Sequence, residues 1–398
     1  MSYSLRRASG AAKYAAILLA SALAASTGPW DLAQLRQPPQ VSWVSQQGPL
    51  RPLYYRNEPF HGKPTEVFAY LALPENLKGR APSMVLVHGG GGKAFQEWAR
   101  LWAARGYVAI SMDLRGRGPD GNRHADAGPE QDNANIFTGI REGVRETWPY
   151  HAVAAVIRAV SLLAALPEVD STRIGITGIS WGGYLTAMVA GLDSRLKVAI
   201  PVYGCGFIYQ NSPWAPVLDK LPERAQWIEN FDPSRYLAQA RMPMLWVNGT
   251  NDFAYGLDNY QLSYRLPKGP RTLSITVRMK HSHPDGWKPV EIGLFADQYL
   301  RGGPKLPHLS GHRVKGARVE IRSSGAPVRE AALCYTHDTG PWKDRFWQTS
   351  PAEVHGRRIR ATLPAQRPIV FFLNATGAQG ATVSTEHEQR QTISMQSP

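Results

Sequence analysis

Two rhythms of apolar and polar residues run along this chain. Near its start, Val41–Ser45, Leu53–Arg56 and Glu66–Leu73 predict extended antiparallel strands with turns between them. From residue 84 the rhythm changes. Met84–His88 (MVLVH) is a short apolar run, as in a buried strand. Phe95–Arg105 sets Trp98, Leu101 and Trp102 at helical spacing, and Gly106 ends that helix. Tyr107–Leu114 predicts a strand, Tyr150–Leu166 a long helix, Arg173–Ile179 a strand and Gly183–Leu192 a helix. Lys197–Tyr203, Met244–Val247 and Leu273–Met279 predict further strands, and Glu291–Leu300 a closing helix. Strand and helix alternate, which predicts an α/β domain with a doubly wound, mainly parallel sheet.

Two stretches interrupt this order. Arg115 to Thr147 is polar, glycine-rich and too long for a simple connection. Gly204 to Arg241 is irregular, contains tryptophan and is expected to cap a pocket. Gly302 to Ser310 reads as a linker. Beyond it, Ala317–Arg322, Ala331–Thr336, Ile359–Leu363, Ile369–Asn374 and Ala381–Glu386 predict a small all-β, sandwich-like domain. At the other end, Arg6, Arg7 and Lys13 accompany an apolar run, Tyr14–Ala22, and a small-x-small site at Ala22-Leu23-Ala24. That is the layout of a secretory signal peptide, too short to span a bilayer comfortably. The expected organisation is a signal over 1–24, a catalytic domain over 25–302 and a β-rich accessory domain over 311–390. The expected location is periplasmic or secreted, with no stable membrane insertion after cleavage and no further stretch apolar enough to span.

Composition narrows the function. The 398 residues suit one large domain plus a smaller one. A hydrophobic content of 43% against 19% charged residues excludes a largely disordered chain. Two cysteines, Cys205 and Cys334, exclude a disulfide framework and leave their own pairing open. The net charge is +14, but it is scattered, and its longest cluster is Arg357, Arg358 and Arg360. A nucleic-acid partner calls for a concentrated stripe, so none is expected. An acidic polysaccharide or an anionic envelope surface suits scattered charge equally well.

The chemistry concentrates in a few segments. Gly178-Ile179-Ser180-Trp181-Gly182 matches G-x-S-x-G between a predicted strand and a predicted helix. Such a turn strains the serine and lifts its hydroxyl above the sheet edge, so Ser180 is the expected nucleophile. His88-Gly89-Gly90-Gly91-Gly92 follows another strand. Its glycines free backbone N–H groups, and the expected oxyanion hole is Gly90 N–H with Trp181 N–H. A phosphate-binding loop is rejected, because Lys93 is followed by Ala94. Asp252, after the strand Met244–Val247, is the expected acid, with Asp258 in reserve. Two histidines compete as base in Lys280-His281-Ser282-His283-Pro284. His283 is favoured because it lies further from the strand end, with more loop to reach back; His281 then lines the site. His281-Ser282-His283-Pro284-Asp285 also begins a metal-type H-x-H-x-D pattern, but Gly286 stands where a further histidine is needed, so no metal is expected. Trp214 and Trp227, in the expected cap, are candidate sugar-facing residues. Two glycosylation-type sequons, at Asn248 and Asn374, read as chance.

In order and wording, HGGGG, DLRGRG (Asp113–Gly118), GISWGG and HSH resemble the α/β-hydrolase superfamily over about residues 40–302. Within it they are similar to the acetyl xylan esterase and dienelactone hydrolase group, and more distantly to prolyl oligopeptidase catalytic domains. Where acetyl xylan esterases carry RGQG, GxSQGG and HE, this chain has Arg115-Gly116-Arg117-Gly118, Trp181 and His283-Pro284. Dienelactone hydrolases use cysteine where this chain has Ser180. The resemblance implies a cofactor-independent serine esterase acting on small esters or acylated glycans. A prolyl-oligopeptidase-like peptidase and a silent binding protein on the same scaffold are the alternatives.

Overall fold

The computed structural model describes residues 27–391. The expected signal segment, 1–24, lies outside them. The first sheet runs, in spatial order, through strands Val41–Trp43, Leu50–Phe60, Lys63–Ala72, Val108–Met112, Ala81–Val87, Val169–Ile179, Leu196–Val202, Met244–Gly249 and Arg271–Thr276. The first three strands and the contact of Lys63–Ala72 with Val108–Met112 are antiparallel; every later pairing in that order is parallel. The central parallel strands are largely apolar because helices cover both faces: Ala81–Val87 and Val108–Met112 are buried at every residue.

Helix Trp148–Ala165 is almost wholly buried. By length and composition it could cross a membrane, contrary to the expectation that no further stretch could; here it lies inside the fold. Its Arg158 carries a charge into that core, where Glu58 of strand Leu50–Phe60 neutralises it at 2.6 Å; Tyr150 Oη donates to the other Glu58 oxygen. Unpaired, either charge would cost several kcal/mol on the order of its desolvation.

The stretch from 115 to 147 folds as helix Asn133–Ile136 and two 3-10 turns. The stretch from 204 to 241 adds helices Ala215–Asp219 and Arg224–Phe231. The two pack on each other: Trp227 Nε1 donates to Ile136 O at 2.7 Å, and Arg141 pairs with Glu223 at 3.1 Å.

The C-terminal strands form two sheets that share one strand. Gln348–His355 pairs through its first half with Val328–Thr336 and through its second half with Arg358–Thr362. The strand Pro307–Lys315 begins before residue 311, where the accessory domain is expected to start. This unit is not loosely tethered. Ser384 pairs with Leu273 on the edge strand of the first sheet, Asn374 Nδ2 donates to Ile275 O, and Ile275 N–H donates to Ser384 Oγ. Cys205 and Cys334 are buried, separate thiols.

Candidate active site

The strand Val169–Ile179 turns directly into helix Trp181–Leu192, and Ser180 is the residue of the turn. Its φ of 59° and ψ of −121° place a non-glycine residue in a region that costs about 1–3 kcal/mol. Neighbouring contacts hold it there. Ser180 N–H donates to Val202 O at 2.8 Å, and Ser180 O accepts from Tyr184 N–H at 2.9 Å. The backbones crowd closely: a Cβ on Gly89 would stand 2.8 Å from Ser180 Cβ. The H-G-G-G-G loop therefore lies directly against the serine.

Asp252 meets a histidine at the end of the neighbouring strand. Asp252 is buried after strand Met244–Gly249. Its Oδ1 accepts from the Ala254 and Tyr255 amides at 2.9 and 2.8 Å. Its Oδ2 contacts His281 Nδ1 at 2.6 Å. The carboxylate can only accept, so it selects the tautomer with hydrogen on Nδ1 and leaves Nε2 as a proton acceptor. Tyr203 stacks on the His281 ring at 4.6 Å and Phe253 lies against it at 4.8 Å. Tyr203 directly follows Val202, the residue that accepts from the Ser180 amide. Serine turn and imidazole thus share one wall.

This pairing corrects the choice between the two histidines. The structure places His281, not His283, on Asp252. The last strand ends at Thr276, and Arg278 turns the chain back at φ 54°. That turn already brings residue 281 over Asp252, so no longer reach is required. His283 opens the short helix His283–Trp287 and faces the glycine loop: a Cβ on Gly89 would stand 3.3 Å from its Nε2. Its Nε2 accepts from Gly89 N–H at 2.9 Å and its ring packs on Phe95. The H-x-H-x-D pattern also disperses: His281 faces Asp252, His283 faces Gly89, and Asp285 binds Ser282 Oγ and Lys288. Asp258, the reserve acid, accepts from Asn211 at 2.6 Å instead.

His88 fixes the glycine loop from beneath. Its Nε2 accepts from Leu114 N–H at 2.8 Å, so its Nδ1 carries the hydrogen given to Gly89 O. Burial holds both His88 and His283 down to about 4, neutral at ordinary pH. Among the described residues, neither Gly90 N–H nor Trp181 N–H meets an acceptor within the chain. Both flank the serine, and Trp181 N–H begins a helix whose dipole favours negative charge. Asp113 anchors the adjoining R-G-R-G segment by accepting from the Arg115 and Arg117 amides, each at 2.8 Å. Burial raises its carboxyl above the usual range.

The two cap tryptophans separate. Trp214 is half-buried, 4.7 Å from the Trp181 ring and 5.4 Å from Tyr255, and borders the site. Trp227 is fully buried with its N–H satisfied by Ile136 O. It joins the segments 115–147 and 204–241 and has no surface to offer a sugar, which corrects its assignment as a binding residue.

His88, His151, His283 and His387 are all held near 4 by burial, against 6.5 in a free side chain. Between those values the unfolded chain binds more protons than the folded one. Their contribution to stability is complete above about pH 6.5 and is lost as pH falls toward 4, at about 1.4 kcal/mol per pH unit for each group. The melting temperature is expected to fall steadily from pH 7 to pH 5. The slope should flatten in His151→Gln, as measured by calorimetry across that range.

Comparison with known proteins agrees with this architecture. A model of the acetyl xylan esterase family matches residues 54–210. An acetyl esterase (Axe7A) of Xylanibacter ruminicola is 22% identical over 232 residues, covering 54% of this chain and 52% of its own length. A putative carboxymethylenebutenolidase of Salmonella typhi is 31% identical over 153 residues, 37% of this chain and 53% of its own. The chain therefore spans about half the length of the curated relatives it matches. Among solved structures, an acetyl xylan esterase from Paenibacillus sp. R4 superimposes with a TM-score of 0.55 at 21% identity, over 68% of this chain and 92% of that one. An open mixed sheet of this order, with a strained serine turn at its centre, defines the fold. The chain has the α/β-hydrolase fold, and over residues 54–210 it is similar to the acetyl xylan esterase family.

Proposed function

We propose that this protein is an exported serine carboxylic-ester hydrolase that removes short acyl groups, acetyl foremost, from carbohydrate esters. The observation that carries this reading is the 2.6 Å contact of His281 Nδ1 with Asp252, on the wall that also supports the strained Ser180. In this reading His281 Nε2 takes the hydroxyl proton as Ser180 Oγ bonds to the ester carbon. The Gly90 and Trp181 amides receive the developing oxyanion. The imidazolium then gives its proton to the departing alcohol, leaving an acyl-serine. Water, deprotonated by the same nitrogen, attacks this ester and releases the acid. Every group is supplied by the chain, so the reaction needs no cofactor.

The acetyl esters are proposed from the relatives' names, the carbohydrate from the expected export. Trp214, beside Trp181, supplies an aromatic face of the kind sugars stack on. The test is acetate release from acetylated xylan and from 4-nitrophenyl esters of increasing chain length. In parallel, a fluorophosphonate adduct is mapped by mass spectrometry to the peptide holding Ser180. Fast turnover of acetyl esters with that adduct is the expected result. Rates that climb with acyl length would replace the sugar-ester reading by a lipophilic esterase. Cleavage of prolyl anilides without ester turnover would favour a peptidase, and no adduct at all a silent scaffold.

A further inference from the structure

The C-terminal unit reaches the Asp252 loop through the segment Trp342 to Trp347. Asn251, the residue before Asp252, turns its amide nitrogen toward three carbonyls of that segment. The distances are 2.7 Å to Arg345 O, 3.0 Å to Lys343 O and 3.4 Å to Trp342 O. An amide has two N–H groups, so the three acceptors share two protons and fix the side chain's plane. The other end of that amide is engaged too. Asn251 Oδ1 accepts from Thr250 Oγ1 at 2.8 Å, and Thr250 Oγ1 accepts from Arg278 N–H at 3.0 Å. One hydrogen-bonded chain therefore runs from the C-terminal unit, through the acid loop, to the turn that delivers His281.

A second tie closes the loop from the far side. Arg278 Nη2 donates to Trp347 O at 2.9 Å, and its guanidinium lies 4.5 Å from the centre of the Phe346 ring. Arg278 is the residue whose positive φ reverses the chain toward His281. Strand ends leave loop positions free to drift, and a misplacement of about 1 Å in a catalytic constellation can cost on the order of 100-fold in rate. Neither loop has a strand or helix of its own to prevent this between residues 250 and 256, or between 277 and 282.

From this arrangement we infer that the C-terminal unit is part of the catalytic apparatus. Through Asn251 and Arg278, its segment Trp342–Trp347 sets the spacing of Asp252 and His281. Asn251 is a positioning residue: it acts through Asp252 and is not assigned to touch substrate. The inference rests on the proposed Ser180–His281–Asp252 reading. It gives the C-terminal domain a task beyond stabilising or binding.

The test uses the full chain with Asn251→Ala and Asn251→Asp, the latter keeping the acceptor toward Thr250 but facing the three carbonyls with a carboxylate. Kinetics on 4-nitrophenyl acetate are read well below each variant's melting temperature. The expected result is a kcat lowered about 10-fold to 100-fold with KM within about twofold, and a displaced acid limb in the pH–rate profile. A lowered melting temperature with kcat per folded molecule within about twofold of wild type would make the contact a structural tie only, and would overturn the inference. Wild-type protein that neither turns over esters nor takes up fluorophosphonate would instead defeat the underlying esterase reading.

Discussion

Replacing His281 with alanine is expected to lower kcat on 4-nitrophenyl acetate by about 10⁴ or more, while His283→Ala loses only about tenfold. The two residues are neighbours but one, of the same chemical type, and differ in what they face. His281 is the imidazole that Asp252 holds through Nδ1. Without it, nothing in the proposed mechanism takes the Ser180 proton. His283 accepts the Gly89 amide, so its loss loosens the glycine loop without removing an oxyanion donor. Loss of a donor itself costs about 10²–10³, which sets an upper limit on the effect of His283. Steady-state kinetics of both variants decide the matter. Equal losses, or a larger loss in His283→Ala, would return the base to residue 283.

Gly182→Ala is expected to destabilise the protein by more than about 4 kcal/mol, beyond the usual cost of overpacking. A Cβ there would lie 1.9 Å from Val87 O and 2.6 Å from His88 O. Both obstacles are backbone atoms at the end of a central buried strand, so neither can swing aside. Helix Trp181–Leu192 must retreat, and with it the Ser180 turn and the Trp181 amide. The melting temperature should fall by roughly 8 °C or more, with ester turnover lost in the same variant. Gly340→Ala is the control, since a Cβ at that position meets nothing within 4 Å. A Gly182→Ala protein that melts within about 2 °C of wild type would mean the close approach is readily relieved.

Much of this molecule was legible in its order of residues. The apolar runs around Val85, Ile110, Ile176, Ala199 and Trp246 marked the parallel strands because a strand covered on both faces has no polar face to alternate with. The serine turn was legible because so few sequences tolerate that backbone: glycines at 178, 182 and 183 surround Ser180. The strand Gln348–His355 is not legible, for the opposite reason. None of its residues is fully buried and it contains Pro351, so it carries no apolar alternation. The place of Trp227 is not legible, because a tryptophan in an irregular stretch reads alike whether it faces a ligand or joins two loops.

Residue order alone carries the fold class, the candidacy of Ser180 and Asp252, and the presence of a β-rich C-terminal unit. Each of these is a local property: a hydrophobic period, a strained turn, an acid at a strand end. Tertiary structure alone decided which histidine meets Asp252, because that depends on where the last strand ends and how Arg278 turns. It alone joined Asn251 to Trp342–Trp347, a contact spanning more than ninety residues. Such pairings arise when independent elements pack into one volume, and no spacing within either segment records the other.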